Sequence, residues 1–108
     1  MGLELAFDTL ELRSICESPT KAKRKLGDLA SRDLRHRLAD MRAAESASTL
    51  IEMGWASESG TRGSPSLRIS LTGTMYVICQ PNHGRLPLLK GRVDWTHVTR
   101  LRVTSIGK

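Results

Sequence analysis

Residues 67–80 read LRISLTGTMYVICQ. Leu67, Ile69 and Leu71 alternate with Arg68 and Ser70, the period of two that belongs to a strand with one face in a core. Thr72-Gly73-Thr74 interrupts the alternation with turn chemistry, and Met75 to Gln80 resumes it. A three-residue loop sets Leu71 opposite Met75. Leu67, Ile69, Leu71, Met75, Val77 and Cys79 then share an apolar face, and Arg68, Ser70, Tyr76, Ile78 and Gln80 share the other. A two-residue loop would mix the two sets, because a slip of one residue turns every side chain over. In the longer-loop register Arg68 and Tyr76 lie diagonally across the hairpin, close enough to serve one phosphate.

Outward from this hairpin, Pro81-Asn82-His83-Gly84 is a turn and residues 85–95 a connection. Val98 to Ile106 form a last strand with Leu101 and Val103 on the apolar side and Arg100 and Arg102 on the side of Arg68. Upstream, residues 56–65 (ASESGTRGSP) have no periodicity and read as a mobile loop. Ser46 or Ser48 caps a single turn through Met53 that Gly54 ends. Ser18-Pro19 is an N-cap followed by proline at the first helical position. The helix it starts carries Ala22, Leu26, Leu29, Ala30, Leu34, Leu38 and Met41 on one stripe as far as residue 44. Gly27 costs that helix about 1 kcal/mol relative to alanine, which predicts a kink or a close helix contact there. At the N-terminus Leu3, Leu5 and Phe7 alternate with Glu4 and Ala6, a strand over 3–7. Asp8 with Glu11 matches a capping box, with Phe7 and Leu12 as its staple, and starts a helix over 9–16. The expectation is an α+β domain: an N-terminal strand, then a two-helix hairpin packed on one face of a small, largely antiparallel sheet whose opposite face is open and basic.

The chain has 108 residues and a formal net charge of +6, one domain's worth of sequence, 1–108, with enough apolar residues for a single core. Charge is segregated along it. Residues 1–20 and 45–60 each sum to −3, whereas 21–44 sum to +5 and 61–108 to +7. Clustered positive charge points to a polyanionic partner, since each Lys or Arg that neutralises a phosphate releases a condensed counterion. No apolar run is long enough to cross a bilayer, and no segment pairs a basic face with bulky aromatics, so no membrane partner is expected. MGLELAFD has acids where a secretory signal would be basic, and the expected location is the cytoplasm. Cys16 and Cys79 fit no metal spacing and read as buried thiols. The cations Lys21, Lys23, Arg24 and Lys25 stand at the start of the long helix, where the macrodipole disfavours them. His36 is solvent-facing, His83 and His97 are structural, and Trp95 is a core plug.

Several stretches together give the chain a family likeness: Cys16 after an apolar helix, KAKRKLGDLASRDLRHRLADMRAA at 21–44, LTG at 71–73, Asn82-His83, VDWTHV at 93–98, and the apolar strand ending in Ile106-Gly107. In this order and spacing the sequence resembles the RelE/ParE superfamily of small bacterial toxins, in its HigB-like branch, over nearly the whole chain. The resemblance implies a type II toxin silenced by a cognate antitoxin, often a helix-turn-helix protein. It also implies cleavage of messenger RNA on the ribosome, with the 2′-hydroxyl as nucleophile and neither metal nor organic cofactor. Such cleavage needs a base, an acid and cations for the strained phosphate. Arg68 and Tyr76 are the catalytic candidates. Arg100 and Arg102 on the open face, Arg62 in its Gly/Ser loop and Lys108 are the RNA-binding candidates. Where the family usually reads Asn-Tyr-Arg after LTG, this chain has Thr74, Met75 and Tyr76, and only Thr61-Arg62-Gly63 approximates its customary Lys-Gly. Those departures favour an alternative, a non-catalytic binding protein on the same fold: a topoisomerase inhibitor, or a degenerate toxin retaining only its antitoxin interface.

Overall fold

The computed structural model describes residues 2–61 and 63–107; the candidates Arg62 and Lys108 lie outside them. The central hairpin forms in the register its alternation requires. Strand β3 (Pro65–Ser70) pairs antiparallel with β4 (Tyr76–Pro81), Leu67 opposite Cys79 and Ile69 opposite Val77. Leu71 N–H donates to Met75 C=O at 2.9 Å, and Gly73 takes a φ of 69° inside the three-residue loop. Strand β2 (Ala56–Gly60) precedes them, and the last strand, β7 (Arg100–Gly107), inserts between β4 and the first, β1 (Glu4–Phe7). The sheet order is β1-β7-β4-β3-β2, with β1 and β7 parallel and every other pair antiparallel. A two-residue pair, β5 (Leu88–Leu89) and β6 (Arg92–Val93), and a 3-10 turn (Trp95–His97) fill the connection before β7.

Four helices line one face: α1 (Leu10–Glu17), α2 (Pro19–Leu26), α3 (Asp28–Ala43) and α4 (Ala47–Glu52). Leu34, Leu38, Met41 and Leu50 bury against Leu67, Ile69, Val77, Leu101 and Val103 in one cluster, with Leu26 packed at its margin. Arg68 and Ile69 are on opposite faces of the sheet, as expected. Among the described residues no helix is long and apolar enough to cross a membrane.

Four expectations need correction. The long helix is two helices, because Gly27 adopts φ 88° and ψ 170°, a region open in practice only to glycine. Nothing lies within 4 Å of where a Gly27 Cβ would stand, so the glycine serves conformation and not close packing. The break re-phases the stripe and leaves Leu29 exposed. It also explains the cations, since Lys23, Arg24 and Lys25 occupy the last turn of α2, where the helix dipole favours positive charge.

Thr9, not Asp8, caps α1: its hydroxyl accepts from Leu12 N–H at 3.1 Å, while Asp8 stays in the ladder and donates its N–H to Val103 C=O at 3.0 Å. The segment expected as a loop over 56–65 holds strand β2, with Glu58 accepting from Trp95 Nε1 at 2.6 Å. Its pairing rests on backbone hydrogen bonds, which leave no apolar alternation to read. The stretch 85–95 is a short hairpin and a 3-10 turn, both too brief to show a period.

Gly27 gives the fold a test with opposite signs. Propensity alone has Gly27→Ala stabilise a continuous helix by about 1 kcal/mol. The observed backbone instead predicts destabilisation by roughly 1–3 kcal/mol, measured as a lowered urea midpoint with unchanged slope.

Candidate nucleic-acid interface

The face of the sheet away from the helices collects side chains from β3, β4, β7 and β1. Arg68 lies beside Ile78 in the register and Tyr76 beside Ser70, which makes Arg68 and Tyr76 diagonal neighbours. They touch: the Arg68 guanidinium carbon sits over the Tyr76 ring, 4.0 Å from its centroid. Arg68 is exposed and Tyr76 half-buried. A guanidinium seated on an aromatic face keeps its N–H donors in its own plane, still open to an oxyanion. The contact therefore orients the cation without occupying it, and among the described residues no carboxylate pairs with Arg68.

Arg100 and Arg102 are on this face too, but their surroundings differ from the expectation of an uncompensated basic surface. Arg100 Nε lies 3.2 Å from Glu4 Oε2, its direct neighbour across the parallel pair. Arg102 Nε lies 2.8 Å from Asp8 Oδ1, and Arg102 Nη2 donates to Gln80 Oε1 at 2.7 Å. The Arg102 Nε–H is not aimed at the carboxylate: that nitrogen is buried and makes no hydrogen bond. Of the three arginines Arg68, Arg100 and Arg102, two thus already face an acid, and among the described residues Arg68 has no carboxylate partner. Sequence reasoning missed Glu4 and Asp8 as members of the site. Their alternation with Leu3, Leu5 and Phe7 puts them on the open face, but only the parallel pairing of β1 with β7 brings them to the arginines.

The imidazoles and both thiols lie away from the Arg68–Tyr76 pair, and all but His36 are engaged or buried. His83 Nε2 accepts from Thr99 N–H at 3.1 Å, tying the turn after β4 to the approach to β7. His97 Nδ1 is 2.6 Å from Asp94 Oδ2, at the rim of the 3-10 turn. His36 is exposed on α3, and Trp95 is buried as a plug. Both thiols are buried and free. Burial pushes Cys16 up to about 11, with the Arg42 cation opposing, and pushes Cys79 up to about 12. Neither supplies a thiolate nucleophile near neutral pH. A second basic surface runs over the helices, where Arg24, Arg32 and Arg35 are exposed. Lys23 pairs there with Asp28 at 3.2 Å and Lys25 with Glu11 at 3.3 Å.

No protein-family model matches this chain, and neither a curated protein nor a solved structure is found to match it.

The buried thiols predict a pH dependence. Their folded-state values exceed the ordinary 9.0, so above about pH 9 the unfolded chain releases protons that the native state retains, and stability falls as pH rises. The slope reaches at most about 1.4 kcal/mol per pH unit for each thiol. Cys79→Ala should flatten that decline in denaturant titrations between about pH 9 and 11. Equal slopes for both proteins would mean that Cys79 ionises as readily folded as unfolded.

Proposed function

We propose that this protein is a toxin of a type II toxin–antitoxin pair that engages RNA on the open face of its sheet and cleaves messages on the ribosome. The observation that carries the reading is the Arg68 guanidinium poised over Tyr76 on an exposed strand pair. The order of elements supports it: a strand, helices on one face, then antiparallel strands whose last returns beside the first. In the reaction the 2′-oxygen bonds to phosphorus, the bond to the 5′-oxygen breaks, and a cyclic phosphate and a 5′-hydroxyl result. Negative charge grows on the non-bridging oxygens, where the in-plane N–H donors of Arg68 stabilise it more in the transition state than in the ground state. The Tyr76 phenol delivers a proton to the leaving oxygen, and the 2′-hydroxyl proton passes to water. The partners are the ribosome with its message and a cognate antitoxin.

Non-catalytic binding on the same fold, to a topoisomerase or to an antitoxin alone, is the second reading. Two observations favour it: the ion pairs at Arg100 and Arg102, and the engagement of His83 and His97 in structural contacts.

Induced expression without an antitoxin should arrest growth with cleaved messages and intact DNA. DNA breaks beside uncut messages would select the topoisomerase reading, and unimpeded growth the degenerate toxin. In single-turnover cleavage on saturating ribosomes, Arg68→Ala should slow the reaction by about 10² to 10³. Tyr76→Phe should slow it by about 10² to 10⁴. Unchanged rates in both variants would remove the pair from the chemistry.

A further inference from the structure

Strand β7 presents Arg100 to Glu4 of β1 and Arg102 to Asp8, the residue after β1's end, and neither ion pair has hydrogen-bond geometry. Glu4 reaches Arg100 at 3.2 Å with both side chains more than half exposed. Asp8 reaches Arg102 at 2.8 Å, yet the buried Arg102 Nε–H points elsewhere and stays unpartnered. Gln80 holds the other end of that guanidinium. An oxyanion arriving over β7 therefore meets two guanidiniums already held by carboxylates, one in an exposed ion pair and the other in a partly exposed one.

We propose that Glu4 and Asp8 are resident competitors for phosphate: carboxylates that a polynucleotide backbone must displace from Arg100 and Arg102 before it can bind across the sheet. The inference rests on the reading of this face as an RNA-binding surface and adds what the surface selects. Arg68, uncompensated, takes the first phosphate. The β7 arginines stand two strands away, about 10 Å across the sheet, so one phosphate cannot reach both. A mononucleotide gains only Arg68. An extended strand, held first at Arg68, brings further phosphates to β7 at high effective concentration and can exchange them for the acids. Glu4 and Asp8 thereby discriminate against short and weakly charged ligands.

The test is binding of a labelled 2′-O-methyl oligouridine, about twelve nucleotides long, by fluorescence anisotropy at low salt. Wild type is compared with Arg68→Ala, Glu4→Gln, Asp8→Asn and the double amide variant. Glu45→Gln, an exposed acid next to α4, serves as the control for net charge alone. Melting curves confirm that each variant is folded. Each acid-to-amide change should tighten binding about two- to five-fold, the range set by an exposed ion pair, the double variant about ten-fold, and Glu45→Gln by less than either single variant. Uridine monophosphate should show no such gain. Acid variants that bind no tighter than Glu45→Gln overturn the competition. Arg68→Ala binding as wild type does, with the acid variants still tighter, overturns the Arg68-centred reading and leaves the competition standing. An oligomer bound by none of the proteins overturns both.

Discussion

The insertion of β7 between β1 and β4 is the pairing on which the rest of the molecule depends. It joins the first strand of the chain to the last in parallel, and a parallel pair needs a long crossover, here almost the whole sequence. Leu101 and Val103 become fully buried by it, meeting Leu5 and Phe7 on one side and Pro81 and Cys79 on the other. The same pairing sets Glu4 and Asp8 against Arg100 and Arg102 on the opposite face. Core and electrostatics of the open face are thus two sides of one register. A slip of one residue would carry Leu101 into solvent and bury an arginine, a double penalty that fixes the register strongly. The β-bulge between Ile78 and Cys79 falls within this pairing, where Thr104 Oγ1 donates to Ile78 C=O at 3.2 Å.

The helical layer follows from a local constraint at Gly27. A continuous helix over 19–44 would have put four cations near its N-terminus, against the dipole. Breaking at Gly27 gives α2 its own C-terminus beneath Lys23, Arg24 and Lys25, and gives α3 a start beside Asp28. Both ends gain from charge of the favourable sign. The turn between β3 and β4 is tied to this layer as well, since Thr72 Oγ1 donates to Asp33 on α3. The loop that sets the hairpin register is thereby anchored to the helices that cover it.

The parts legible from sequence were those where burial imposes a period. Leu67 to Cys79 alternate because one face is covered, and that alternation alone sufficed to bring Arg68 and Tyr76 together. Strand β2 escaped because ASESG has one buried residue, Ala56, and is held by backbone bonds that side chains do not report. The cap of α1 was misplaced by one residue because Asp8 and Thr9 are both good caps; the choice falls to Thr9 once Asp8 is drawn to Arg102 across the sheet. That contact spans most of the chain, and no local pattern encodes it. The compensating acids of the site were hidden for the same reason.

Charge along the chain and charge in space therefore differ in this molecule, and the difference bears on what the open face can do. Read linearly, residues 61–108 carry eight bases against one acid, which suggests a surface that binds any polyanion by net charge. Folding returns two acids of the first segment, Glu4 and Asp8, to that surface, opposite Arg100 and Arg102. Non-specific affinity grows with the number of phosphates neutralised, so the compensation lowers it where it would otherwise be greatest. Among the described residues of this face, what remains is one oriented, uncompensated guanidinium on an aromatic ring, flanked by cations that, on the competition proposed above, a ligand reaches only by replacing their carboxylates. On the RNA-binding reading proposed above, such a surface gives up tight binding to arbitrary RNA and keeps its strongest attraction at the position where Arg68 would act on a phosphate.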